Sequence, residues 1–427
     1  MDRIQNVARD LAEASDVTRA DVAIVGAGYA GMAAAVALAE RGIAVSVYEA
    51  GPVPGGRARR VTSRGRSLDN GQHLLVGAYR ELLALMRTVG VPETAVLRMP
   101  LELRYARGFA LRALPLPAPF GLLGGLLFAR GLPLTERLGA VRFMRALRAL
   151  DFRLTEDCSV AALLARHRQD GRIGHYLWVP LCVAALNTPA VHASANAFLA
   201  VLRDTLDGPP GASDLVLPRV DLSRLFPEPA AAYVRARGGT VQCSTPIRDL
   251  AALRARHSRV IVAVGPHQLK ALAPALAFET TYEPITTVYL QYPEQVQLAR
   301  PMLGLDHGTI HWVFDRGALN GEHGRLACVI SAHGPHEDLS HDALAARCAD
   351  ELAQAFPELP PPSWSQVIAE KHATVDCSAG APRRDLRTAL PGVFLAGDYL
   401  DPDYPPTLEG AVRSGLRAAA CVFSAAA

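Results

Sequence analysis

An unbroken apolar run, Val22-Ala-Ile-Val25, predicts a short strand from Asp21 to Val25 that is buried on both faces. A glycine-rich turn, Gly26 to Gly31, follows at once. The Ala-rich stretch from Met32 to Arg41 then reads as a helix ended by Gly42. A second strand, Ile43 to Tyr48, closes on Glu49. Strand signatures return at Gly239 to Cys243, at Arg259 to Val264 with a Gly265-Pro266 turn, and at Pro391 to Gly397 before Asp398. Thr407 to Gly415 reads as a helix start. Strands alternating with helical stretches predict an α/β fold.

Two neighbouring stretches have a different pattern. Ala113 to Ala129 is uncharged, but Pro115, Pro117, Pro119, Gly121, Gly124 and Gly125 interrupt it. It is also shorter than the ~20 residues a membrane-spanning helix needs. Leu134 to Leu150 reads as a helix with Phe143, Met144, Leu147 and Leu150 on one side and Arg142, Arg145 and Arg148 on the other. Together, 113–150 fits either a surface lying in a lipid interface or a core-and-lid piece of the fold.

The first strand, turn and helix carry chemistry. Gly26 permits a tight turn, Gly28 lets backbone approach a pyrophosphate, and Gly31 lets the helix pack close on the strand. The helix amino terminus offers free N–H groups to phosphate. Glu49, about 20 residues past the glycines, is placed to accept ribose hydroxyls. Beyond it, Gly55-Gly56 allow a second close backbone approach, and Arg57 can hold phosphate in fork geometry. At the other end of the chain, Gly397-Asp398 puts a carboxylate at a strand end, where it suits ribityl hydroxyls. The helix start at Thr407, Leu408, Glu409 and Ala411 can stabilise negative charge on a reduced ring.

Composition narrows the classes. The chain has 427 residues, 50% of them apolar, 20% charged and 6% aromatic, with a net charge of +3. Length suggests two or three domains. The apolar content supports a large core, and nothing argues for nucleic-acid binding. Lys270 and Lys371 are the only lysines, so arginine carries the basicity. Seven scattered cysteines without a CxxC pair fit a reducing cytoplasm and neither a zinc site nor a disulfide framework. The histidines between His307 and His341 lack metal-ligand spacing, so no metal is expected. Residues 1–19 have no apolar core like that of a signal peptide and read as a polar leader.

The three-part pattern resembles the flavin amine oxidase and phytoene desaturase superfamily, which implies FAD. In that superfamily, backbone near Ile247 touches adenine. The likeness narrows at Asp69-Asn-Gly71-Gln72-His73 and on to Arg80, Pro180 to Pro189, Val201 to Asp204, Leu217 to Ser223, Tyr282 to Tyr289, Trp312 to Arg316 and Leu408 to Gly415. These segments are similar to the squalene-associated FAD-dependent desaturases, the hydroxysqualene dehydroxylases of hopanoid synthesis. His372 stands where Arg is expected, and Tyr399 where Trp is common.

The resemblance implies reductive removal of the hydroxyl of hydroxysqualene, an allylic C30 alcohol, to give squalene. On that route an acid protonates the hydroxyl, water leaves an allylic cation, and reduced FAD delivers hydride inside an apolar tunnel. Gly71, Gln72 and His73 would lie beside the isoalloxazine. His73 is a candidate proton donor or, equally, a structural hydrogen-bonder. Asn187 could orient the hydroxyl or serve as a turn residue. Asp204 and Asp221 are further carboxylates in these segments, expected to pair with Arg203 and Arg219. No second dinucleotide unit is visible, so electrons would come from an external donor.

The expected architecture is a Rossmann-type FAD-binding domain assembled from 20–100, 215–270 and 381–427, with a mixed α+β substrate domain from 101–214 and 271–380. The expected location is cytoplasmic, peripheral on the inner face of the membrane. Rival readings are an oxidative carotenoid or phytoene desaturase, an amine oxidase, and a non-enzymatic prenyl-lipid carrier of the same architecture.

Overall fold

The computed structural model describes residues 22–114, 116, 120–382, 384–400 and 404–424. The predicted leader, the strand's first residue Asp21, and Pro115, Pro117 and Pro119 lie outside them.

Five short strands form a parallel sheet: β1 (Val22–Val25), β2 (Val45–Tyr48), β3 (Thr240–Gln242), β4 (Arg259–Val262) and β5 (Val393–Leu395). Their spatial order is β3-β2-β1-β4-β5. Every residue of β1 is buried, as an apolar run with layers on both sides requires. One layer comprises helix Tyr29–Glu40 and the last helix, Leu408–Ser424, which meet closely because Gly415 lies on the Ala30 carbonyl. The first helix starts three residues earlier than its sequence suggests. Gly28 is its extended N-cap, so Gly31 sits inside the first turn rather than before it.

A second, antiparallel sheet has the spatial order Met302–Gly304, Trp312–Asp315, Arg325–Ser331, Tyr282–Gln291, Trp364–Val375. Alternation along Tyr282–Gln291 divides its faces. Val288 and Leu290 pack under helix His341–Ala355, through Leu344, Cys348 and Leu352. Ile285 and Tyr289 face the opposite core, shared with helices Val179–Leu186 and Ala195–Leu206. A large cavity lies between that face, these helices and the carboxyl ends of the parallel strands.

In segment 113–150 the structure chooses between the two alternatives that the sequence leaves open. A short helix, Phe120–Leu127, is followed by helix Leu134–Ala149. Phe143, Met144 and Leu147 of the second, with Leu122 and Leu126 of the first, are buried in the main core. The apolar side of the second helix, left open by the sequence between lipid and core, is therefore core, and Leu150 is separated from it at 46% exposed. Arg148 is paired with Asp207. Periodicity reports that a helix has an apolar side but not what covers it. Among the described residues no helix is long and apolar enough to cross a membrane.

Candidate active site

The cavity holds about 1100 Å³. That exceeds the ~300–1,000 Å³ usual for one small-molecule ligand and leaves room for a cofactor and a substrate together. Its first arm begins at the turn after β1. Gly26 has φ +102°, and a Cβ there would sit 2.5 Å from the Ala263 carbonyl oxygen. Gly28 bridges to Gly55, and a Cβ on Gly56 would be 3.2 Å from the Gly28 Cα. Two glycine segments thus lie back to back, and Gly28, Tyr29 and Ala30 present the helix's amino-terminal turn to the cavity. Gly31 is off the wall. A Cβ there would fall 2.0 Å from the Gly26 carbonyl oxygen, so its role is close packing of helix on strand.

Glu49 is on the wall at the end of β2, its carboxylate held by the Ala27 and Gly51 amides, each at 2.7 Å. Ile247 lines the same arm between Pro246 and Arg248. Arg57 and Asp398 both line the cavity, yet they face each other. Arg57 Nη2 donates to Asp398 Oδ1 at 2.6 Å, and Nη1 donates to the Ala373 carbonyl at 2.8 Å. The fork assigned to phosphate from sequence is turned to a carboxylate instead, because a buried Asp at a strand end needs a counter-charge. Gly397 is fixed by its N–H to Ser414 Oγ at 2.9 Å.

At the last helix, Thr407, Leu408 and Ala411 line the cavity and direct the helix amino terminus into it. Glu409 does not line it. It is fully buried, accepts the Glu81 and Leu82 amides at 3.1 and 3.0 Å, and pairs with Arg413 at 3.0 Å. Its carboxylate caps helix Arg80–Thr88, whose first-turn N–H groups have no partner within their own helix.

The middle of the cavity is formed by Asn70, Gly71, Gln72 and His73. Buried Arg316 donates from Nη1 to Asp69 Oδ2 and to Gln72 Oε1, both at 3.1 Å. Gln72 Nε2 donates to the Tyr289 hydroxyl at 2.8 Å, which donates to the Asp69 carbonyl at 3.0 Å. The Gln72 amide therefore has one orientation. Burial raises the Asp69 pKa to about 6 against the opposing charge of Arg316. His73 is pushed down to about 4, chiefly by burial and further by the Arg57 charge, while the Gly71 carbonyl acts the other way. Its Nδ1 has no hydrogen-bond partner.

Asn187 also lines the cavity, but its polar atoms are engaged. It caps helix Val179–Leu186 in the left-handed region at φ 47°. Nδ2 donates to the Glu283 and Pro284 carbonyls and to Thr374 Oγ1, and Oδ1 accepts the Ala332 amide at 3.0 Å. Asn187 thus clamps the helix to the second sheet, and its amide donors are engaged in doing so. Asp204 pairs with Arg203 and Arg413. Asp221 pairs with Arg60 and Arg224 and caps a short helix, rather than meeting Arg219.

The wall also carries an apolar set, Leu103, Leu181, Phe198, Val201, Trp312 and Phe314. Arg316 and Tyr289 lay within quoted sequence segments, but no spacing connects either to Gln72. Among the described residues no group of three metal-ligating side chains is assembled.

A profile of the flavin containing amine oxidoreductases matches residues 29–423, and the chain belongs to that family. It is an FAD-dependent oxidoreductase. It is 28% identical to a hydroxysqualene dehydroxylase of Sinorhizobium fredii over 95% of this chain and 98% of the relative. It is 29% identical to one from Rhodopseudomonas palustris, with the same coverage. A probable zeta-carotene desaturase of Synechococcus elongatus is 24% identical over 95% of this chain and 99% of its own. Among solved structures, a putative protoporphyrinogen oxidase from Exiguobacterium sp. 255-15 superposes with TM-score 0.69 at 16% identity, covering 95% of this chain and 99% of the other. A putrescine oxidase variant gives 0.71 at 19%, with the same coverage. These likenesses establish the fold, and family membership removes the non-enzymatic carrier reading.

Proposed function

We propose that the protein removes the hydroxyl of hydroxysqualene reductively to give squalene. The observation that carries this reading is a single cavity lined both by Gly26, Gly28, Gly55 and Gly56 and by Leu103, Leu181, Phe198 and Trp312, with Gln72 and His73 also on its wall. The full-length likeness to hydroxysqualene dehydroxylases supports it.

In this reading, Gly26, Gly28, Gly55, Gly56, Glu49 and the helix amino termini at Tyr29 and Leu408 hold FAD, with Ile247 beside the adenine. Bound in its reduced form, FAD supplies the hydride. Arg57 and Asp398 close the cofactor arm against water. Leu181, Phe198 and Trp312 exclude water from the chain of the substrate, which protects a developing allylic cation from recapture. Gln72, fixed by Arg316, orients the hydroxyl. His73 lines the same cavity and, with its pKa held near 4, is neutral near pH 7, so it fits a hydrogen-bonding partner there better than the acid that protonates the hydroxyl. The chain divides into an FAD-binding part (20–100, 215–270, 381–427) and a substrate part (101–214, 271–380). The protein works on the inner face of the cytoplasmic membrane with electrons from an external donor.

Anaerobic incubation of dithionite-reduced protein with hydroxysqualene, followed by product analysis, tests the reading. Squalene is the expected product. If the oxidised protein dehydrogenates phytoene or squalene and the alcohol is inert, the desaturase reading favoured by the zeta-carotene desaturase likeness replaces it.

A further inference from the structure

Large exposed apolar side chains are concentrated in one place. Leu116, Phe120, Leu127, Phe128, Leu134 and Leu138 are between 40% and 76% exposed. They belong to the two helices Phe120–Leu127 and Leu134–Ala149 and the approach to them, whose opposite sides fill the core. The hairpin is firmly built. Arg137 donates from Nη1 to the Leu127 carbonyl and from Nε to the Leu132 carbonyl, both at 2.9 Å, holding the end of one helix against the start of the next. A patch of this kind on an ordered surface marks a place of contact.

Charge identifies the contact. Arg112, Arg130, Arg142 and Arg145 are exposed and form no ion pair among the described residues. Glu136 is the single acidic residue in 112–149, and it is turned inward, with Oε2 accepting the Ile173 amide at 2.6 Å. An apolar face with an arginine rim and no outward acid complements anionic headgroups. Against a second copy of itself the rim would be repelled.

The same face is tied to the cavity. Helix Phe120–Leu127 packs on strand Ala110–Arg112, whose hairpin partner Glu102–Arg104 contributes Leu103 to the cavity wall. Arg172 Nε donates to the Gly131 carbonyl at 3.0 Å between the helices. Beyond Ile173 the chain runs into Val179, 36% exposed, and then Pro180 and Leu181, which line the cavity.

We infer that the outward face of this hairpin docks on an anionic lipid bilayer and brings the apolar wall of the cavity to the membrane surface. The reason for docking rests on the water-insoluble substrate proposed above.

Flotation of the flavin-loaded protein with phosphatidylcholine vesicles, with and without phosphatidylglycerol, tests this. Wild type should float, more strongly with phosphatidylglycerol. Phe120→Ser/Phe128→Ser/Leu134→Ser should weaken flotation by roughly tenfold or more, since three apolar side chains leave the lipid. Turnover of vesicle-embedded hydroxysqualene should fall with it, while turnover in detergent is unchanged. Should that variant unfold, Arg142→Glu/Arg145→Glu on the exposed rim should release the protein from phosphatidylglycerol vesicles. A wild type that stays down, or variants that float like wild type, overturns the docking. So does a dimer that the triple variant converts to monomer without loss of flotation, which would assign the face to a second copy. Protein that floats yet leaves hydroxysqualene untouched overturns the substrate reading alone.

Discussion

Arg316 and Asp69 are 247 positions apart in the chain and lie 3.1 Å from each other, with side chains 5% and 3% exposed. The same guanidinium holds Gln72, so one buried cation fixes both ends of the Asp69–Gln72 segment, whose Gln72 lines the cavity. Arg316→Met should cost about 3–5 kcal/mol, because Asp69, Gln72 and Glu322 lose a shared buried partner and Asp69, already raised to about 6, must take up a proton or stay buried without a counter-charge. Adding Asp69→Asn should restore a large part of that loss. A urea-unfolding double-mutant cycle checks it, and additive losses would show that the two residues do not act as a pair.

Two glycines in one motif should fail differently. At Gly28 the nearest atom to an added Cβ is 3.7 Å away, so Gly28→Ala should fold. If pyrophosphate lies against this backbone, the variant loses flavin, and Gly28→Val loses it completely. At Gly31 a Cβ would lie 2.0 Å from backbone oxygen, so Gly31→Ala should be destabilised whether or not flavin is present. Visible absorbance per folded protein, with melting temperature, separates them.

Asn187→Ala should destabilise by roughly 2–4 kcal/mol, from lost hydrogen bonds and a left-handed backbone that Ala tolerates poorly. Activity per folded molecule should be nearly unchanged. A fall in kcat with unaltered stability would return Asn187 to the chemistry.

Glu409→Ala should lower stability by about 1–3 kcal/mol, since the Glu81 and Leu82 amides lose their acceptor. The flavin absorption maximum should not move, as the carboxylate is not on the cavity wall. A shift of the spectrum at full stability would show direct contact with the ring.

His73 makes a pH prediction for the flavin-free protein. Its folded pKa, about 4, is below the ordinary 6.5. Above 6.5 neither state is protonated and there is no penalty. Between 6.5 and 4 the unfolded chain binds a proton that the folded chain does not, so stability falls as pH is lowered. Below 4 the full penalty, roughly 3 kcal/mol, remains. Stability of wild type relative to His73→Phe should trace that fall. A flat difference would show that the imidazole is solvated.

Short-range physics made the cofactor arm legible. A four-residue apolar strand, a turn that only glycine can make, a helix and an acid at the next strand end depend on neighbours a few residues away. Their types and order therefore identify the α/β fold and the Gly26, Gly28 and Glu49 positions before any tertiary contact is known. The sequence did not decide what faces each polar group or each apolar side. The helix at Leu134–Ala149 has the periodicity of a lipid-facing surface, yet its Phe143 side is core, while Leu134 and Leu138 point out. Asn187 and Glu409 sit among cofactor and substrate segments, and distant backbone amides claim them for structure instead. Arg316 became part of the site only because the second sheet carries it to Asp69. A side chain's type is written locally, but its role depends on which partner satisfies its hydrogen bonds or covers its apolar surface, and folding brings those partners from hundreds of residues away.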